Sequence, residues 1–198
     1  MIEDEVRPGW IGNWDRFVGP SASRTESTAT LAAAVAGVLW GGKGLGDRTT
    51  VGRALLMRAI AIDLWGGAWV NNTRSCVRWY ERPGHGFGEH VGFAAAHVLH
   101  PAVIAAVDHK AGTRSGISAA RWTLAHYGWM LVSATMIARA HRRSRLPIAL
   151  AASVAGVLLD RVLEPSSAAR WFASVYYSKL LIGHAAGSIW NTGEDPVT

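Results

Sequence analysis

Charge is scarce in this chain. Only 17% of its 198 residues are Asp, Glu, Lys or Arg, unusual for a soluble domain of this size, so the chain has either a very large buried interior or a place in lipid. Cysteine is nearly absent. The single Cys76 excludes an intramolecular disulfide, no CxxC pair or zinc-knuckle spacing exists, and the residue reads as structural. Phosphate-binding loops and nucleophile elbows are missing too: "GGKGLGD", Gly41 to Asp47, lacks the P-loop spacing and reads as a flexible turn. There is no internal repeat and no low-complexity tract. The start, "MIEDEVRPGWIGNWDRFVGP", opens on acids and lacks the cationic stretch and apolar core of a signal or transit peptide. The net charge of +6 is spread over several loops with no basic stripe or binding motif, so no nucleic-acid partner is expected.

Apolar residues and tryptophan are abundant. Hydrophobic residues make up 49% of the chain, and ten are Trp. Apolar windows recur at Ser27–Gly42, Ala54–Val70, Gly86–Val107, Ala119–Ala138, Leu146–Leu159 and Trp171–Ile189. A bilayer core about 30 Å thick needs about 20 helical residues, with a range near 17–25. The spacing predicts an all-α polytopic membrane helical bundle of about six transmembrane helices, with five to seven allowed. A soluble helical bundle is the alternative, and the charge pattern argues against it. Charge gathers in the loops, whereas soluble helices carry charged faces along their length. Trp40, Trp79, Trp171 and Trp190 sit at window ends, as in an aromatic belt at the headgroups.

Three regions follow. Residues 1–26 form an interfacial amino-terminal segment in which Trp10, Trp14 and Phe17 share one helical face. Residues 27–191 form the bundle, and residues 192–198 a polar tail. The basic run "RAHRRSRLP", Arg139 to Pro147, reads as a cytoplasmic loop, which places both termini inside a bacterial cytoplasmic membrane.

Titratable residues inside such windows are costly and mark function. The stretch "GFGEHVGFAAAHVLHP", Gly86 to Pro101, carries one Glu and three His. On a helix advancing about 100° per residue, Glu89, His100, Phe93, His97 and His90 fall within an arc of roughly 100°. Trp122, His126, Trp129 and Ser133 form a second stripe, and Tyr177, His184, Ser188 and Asn191 a third. Asp63 adds a carboxyl beside Gly66 and Gly67, which let a helix or ligand approach closely. Converging faces of this kind make a polar chamber in an apolar shell. The competing explanation for each polar residue is hydrogen bonding between helices.

Two chemistries fit a chamber. Histidines could hold a metal or a haem, giving a membrane oxidoreductase. However, Glu89 and His100 lie about 16 Å apart along a helix axis, and the paired ExxH boxes of di-iron bundles are missing. The second chemistry needs neither metal nor cofactor. A buried carboxyl protonates a lipophilic substrate, and aromatic faces stabilise the resulting cation. Asp63 and Glu89 are the acids, with His97 and His184 orienting them or relaying protons. Trp65, Trp69, Phe93, Trp122, His126, Trp129, Tyr177 and Asn191 line the substrate's path. A small proton or solute transporter is a third class, although no matched broken helices are evident.

In small size, polytopic character, Trp richness and isolated membrane acids, the stretch from about Ser27 to Asn191 resembles the small integral membrane terpene cyclases of bacterial and fungal meroterpenoid pathways. That resemblance implies a compact transmembrane bundle that protonates a prenyl chain or its terminal epoxide without a metal. Its partners would be a lipophilic isoprenoid-type substrate and membrane lipids. The choice of Asp63 and Glu89 comes from this sequence, not from a family motif. Oligomeric state is left open.

Overall fold

The structure, a computed structural model, describes residues 6–46, 49–110 and 117–190. Every regular element among them is helical: α1 (Trp10–Val18), α2 (Arg24–Trp40), α3 (Val51–Val70), α4 (Arg74–Tyr80), α5 (Phe87–Ala95), α6 (Leu99–Lys110), α7 (Ala119–Arg139), α8 (Arg142–Val162) and α9 (Phe172–Tyr177). A π-helical turn, Ser178–Ile182, continues α9, followed by the short turns Gly183–Ala185 and Ala186–Ser188. The apolar windows correspond to these helices. Arg24 opens α2 behind a Ser23–Glu26 capping box, so the expected boundary at residue 26 falls inside that helix. Likewise α8 begins at Arg142, four residues before the apolar run, and tolerates Pro147 near its start. The polar tail at 192–198 lies outside the described residues.

Neighbouring helices run antiparallel. Gly37 of α2 approaches the Ala61 carbonyl of α3 so closely that a Cβ there would lie 2.6 Å from its oxygen, which explains the tightness of that hairpin. Thr123 and Tyr127 of α7 bond the carbonyls of Pro101 and Ala95 in reverse order. Trp129 donates from Nε1 to the Ala152 carbonyl of α8 at 2.9 Å. Two ends result. The amino-terminal face carries α1, α4 and the α7–α8 turn. The opposite face carries the carboxy-terminal ends of α2, α6 and α8, where Asp108 accepts bonds from Ser167 Oγ and the Ala168 amide.

The continuous α-helix expected across window three is broken. Residues Ala96–Val98 form a 3-10 turn, with His97 at φ −85°, ψ 15°. Pro101 supplies the cause, because it has no N–H to give the carbonyl four residues earlier, that of His97. His100 Nδ1 (3.3 Å) and the Tyr176 hydroxyl (3.4 Å) approach that freed oxygen instead. Even with the break, Phe87–His109 is apolar and long enough to cross a membrane, and it is the one segment among the described residues that meets both criteria by itself.

The core joins α3, α6, α7, α8 and α9 through Leu64, Ile104, Trp122, Met130 and Phe172, among others. The outward faces are apolar as well. Leu31, Val35 and Leu39 on α2, and Leu150, Val154, Leu158 and Val162 on α8, form exposed stripes at every fourth residue. On α1, Trp10, Trp14 and Phe17 line one groove with Leu31, in keeping with the shared face read from their spacing.

Candidate functional site

The polar residues expected to meet in one chamber form three groups, stacked from one face of the bundle to the other.

The central group joins three distant segments. Asp63 of α3 accepts from Lys179 Nζ at 2.5 Å and lies 2.8 Å from His100 Nε2. Lys179 belongs to the π-helical turn, a local widening common at functional sites. Its aliphatic stem crosses Gly67, where a Cβ would lie 2.5 Å from Lys179 Cε. The glycine beside Asp63 therefore makes room for a lysine. The His97 ring stacks on His100 with centroids 5.0 Å apart, and its Nδ1–H donates to the Phe93 carbonyl at 2.7 Å. Lys179 is buried, whereas the Asp63 side chain is 42% exposed.

The second group surrounds a cavity of about 320 Å³ at the amino-terminal face, lined by Asn71, Tyr80, Glu81, His90, Phe93 and His184 together with Cys76 and Glu89. Phe93 packs against Tyr80 (5.7 Å between centroids) and His184 (6.0 Å). His184 Nε2 donates to the His90 carbonyl at 2.9 Å, and the two imidazoles meet edge to face. The His90 ring bonds none of the described residues. Glu81 closes α4, and burial raises its carboxyl above the ordinary range while Arg145 and Arg142 pull it back. Burial also pushes the Cys76 thiol up to about 12, as suits an inert structural cysteine.

The third group is enclosed by α7, α8 and α9. His126, fully buried, bonds the Tyr177 hydroxyl from Nδ1 at 2.8 Å. Its Nε2 lies 3.3 Å from Asp160 Oδ1, though out of hydrogen-bond alignment, and both atoms are buried without a bonded partner. Trp122 and Phe172 pack on the imidazole at 4.1 and 5.4 Å.

These positions correct several expectations. Glu89 is exposed in the first turn of α5, where its carboxylate accepts from the Gly86 amide at 2.8 Å. It caps a helix at the rim of the cavity and is not a buried acid. Trp69 is 48% exposed, which does not suit a wall of an enclosed chamber. Trp129 is fixed by its bond to α8. Trp65 meets Trp171 edge to face at 6.2 Å. Phe93, His97 and His184 do converge, and so do Trp122, His126 and Tyr177, but in separate groups. Asn191 lies outside the described residues.

Lys179, Glu81 and Asp160 are site residues that the sequence pattern does not single out, and His90 enters only as a member of the α5 stripe. A lysine inside "YYSKLLIGHAAG" was a visible signal. Glu81 gave none, because a carboxylate beside Arg82 and Pro83 looks like ordinary loop charge. Among the described residues, no three His, Cys, Asp or Glu side chains are grouped to hold a metal ion. No protein-family model matches the chain, and no curated protein or solved structure does.

Proposed function

We propose that this chain is a polytopic membrane protein of six helical passes that carries out acid–base chemistry on a lipophilic, isoprenoid-type substrate. The outward stripes of Leu and Val support the membrane placement, since apolar surface so extended marks contact with lipid or protein. Alternating passes α2, α3, α5–α6, α7, α8 and α9 with its following turns leave the loops at two ends, as a membrane requires.

The observation that carries the reading is the partly buried Glu81 carboxyl at the edge of a cavity walled by Tyr80 and Phe93. Its volume sits near the low end of the about 300–1,000 Å³ typical of small-molecule sites, enough for the reacting end of a prenyl chain whose remainder lies among the helices. The Glu81 carboxyl gives its proton to an alkene or epoxide, leaving a carboxylate and a carbocation. The Tyr80 and Phe93 rings face that cation, an interaction worth up to about 2 kcal/mol when desolvated. Ring closure moves the positive charge, and His90 takes the proton released when the final double bond forms. This is a protonation-initiated cyclisation, the activity implied by the resemblance to small membrane terpene cyclases. Asp63 suits the initiating role less well than Glu81, because two donors hold its carboxylate. With His97 and His100 it supports the inner wall behind Phe93.

The test is incubation of purified protein in bicelles with linear prenyl phenols and their terminal epoxides, with products separated by mass spectrometry. Wild type yields a cyclised isomer of unchanged mass. Glu81→Gln yields none while migrating as wild type on gel filtration. Full turnover by Glu81→Gln would refute the assignment.

A further inference from the structure

A second cleft, of about 420 Å³, opens at the opposite face of the bundle, where α8 ends and the chain turns towards α9. Val157, Asp160, Arg161, Arg170 and Ser174 are among its lining residues. Two guanidinium groups and one carboxylate thus share a small space, yet they do not pair. Neither Arg161 nor Arg170 forms an ion pair or a hydrogen bond with a described residue. Asp160 sits deeper. Its side chain is 8% exposed, and Oδ1 is enclosed 3.3 Å from His126 Nε2 without a hydrogen bond. His126 itself is committed through Nδ1 to the Tyr177 hydroxyl. Buried polar atoms in a structural core are satisfied, and burying a carboxylate without a partner is costly. With Oδ1 enclosed, Oδ2 is the oxygen that a donor in the cleft can reach.

We propose that this cleft binds the headgroup of an amine-bearing phospholipid, with its phosphate between Arg161 and Arg170 and its primary ammonium on Asp160. The separated charges select a dipolar ligand. Guanidinium groups bind phosphate through paired N–H donors, and the Ser174 hydroxyl offers a further one. An ammonium satisfies the inner carboxylate. A ligand with only negative charge meets Asp160, and one with only positive charge meets the arginines, so both are disfavoured. The ligand class is therefore a phosphate ester carrying a primary ammonium, as in phosphatidylethanolamine. A quaternary ammonium, as in phosphatidylcholine, has no N–H to give. The lipid form is preferred to a free phosphoethanolamine because of what adjoins the cleft. Arg161 lies three residues after Leu158 and four after Val157, hence beside both on α8, and Val154, Leu158 and Val162 form an exposed apolar stripe. Acyl chains lying on that stripe bring a headgroup to the cleft, as basic pockets of membrane proteins receive lipid headgroups. The lipid source rests on the membrane placement proposed above. The site shares no residue with the amino-terminal cavity, so its binding stands or falls apart from the cyclisation.

The experiment titrates the full chain, purified in detergent, with dihexanoyl phosphatidylethanolamine, dihexanoyl phosphatidylcholine, dihexanoyl phosphatidylglycerol and chain-free glycerophosphoethanolamine, followed by calorimetry. The ethanolamine lipid should bind about tenfold tighter than the choline and glycerol lipids, the scale of one charge-assisted hydrogen bond. Asp160→Asn should bring the ethanolamine lipid to the affinity of the choline lipid. Arg161→Gln combined with Arg170→Gln should weaken both. Because these two arginines are exposed, the double variant tests the site even where Asp160→Asn does not fold. Arg121→Gln, an exposed arginine at the start of α7, should bind as wild type. Glycerophosphoethanolamine binding as tightly as the lipid overturns the lipid source. Equal affinity for the three lipids in wild type, or an ethanolamine preference unchanged in the folded Asp160 and arginine variants, overturns the site.

Discussion

Lys179 Nζ lies 2.5 Å from Asp63 Oδ2, although 116 residues of sequence separate the two. The contact ties the π-helical turn to the middle of α3, and its two members are unequally placed: the lysine is enclosed and the carboxylate partly open. Removing the acid should therefore hurt more than removing both. Asp63→Asn leaves an enclosed ammonium without its counter-charge, a loss of about 3 kcal/mol at the low end for such orphaned charges. Asp63→Asn combined with Lys179→Met should recover much of the loss. Thermal unfolding in detergent across the double-mutant cycle measures it; a loss in the double variant equal to the sum of the two single losses would show that the pair is not coupled.

Gly156 lies under the Tyr177 ring, and a Cβ there would come within 2.4 Å of a ring carbon. Gly156→Ala should force the ring away from His126 at a cost of about 1–3 kcal/mol, the usual range for overpacking. A lowered unfolding midpoint is expected. An unchanged midpoint would mean that α8 shifts freely, against the close packing described.

The amino-terminal helix supplies a pH-dependent element. Arg7 folds back on Asp15, donating from Nε at 2.8 Å and from its backbone amide at 3.0 Å, and the guanidinium holds the Asp15 carboxyl below its ordinary range. The folded value is depressed, so the stabilisation is complete above the ordinary carboxylate value, about 4, and fades as pH falls through the folded value. Limited proteolysis at falling pH should release α1 from wild type progressively. Asp15→Asn should be equally cleavable throughout, and a pH-independent wild type would contradict the assignment.

Much of the fold is legible in the sequence because long apolar windows and charged loops record helix length directly. The breaks inside those windows are harder to read. Pro101 announces that one hydrogen bond is lost, but where the helix yields depends on what else can reach the His97 carbonyl. Here those groups are His100 and Tyr176, the latter 79 residues away. Helical-wheel geometry put Glu89 on one stripe with His100, yet the first turn of α5 uses that carboxylate as a cap, and the turn at His97 resets the wheel. The site was legible in part. Asp63, Phe93, His97 and His184 were recognisable as costly or aromatic residues within apolar windows, whereas Glu81 gains its meaning only when α4 folds over the cavity and burial raises its carboxyl.

Topology offers a separate check. In a Cys76→Ser background, Arg24→Cys and Gly46→Cys place single thiols at opposite ends of α2. In sealed, oriented vesicles, a membrane-impermeant maleimide should label one from outside and the other only after lysis. Labelling of both from the same side would dismiss the six-pass arrangement.

The central claim, that a carboxyl proton starts the reaction in the amino-terminal cavity, is tested most directly by running the cyclisation of the linear prenyl phenol, whose alkene is protonated at carbon, in D2O. Glu81 exchanges with solvent, so the product should carry one deuterium at the carbon that was protonated. Because burial raises the Glu81 carboxyl, the protonated form persists above the ordinary carboxylate range, and turnover should fall as pD rises through the raised value. A cyclised product free of deuterium, formed at a rate indifferent to Glu81→Gln, would contradict the account.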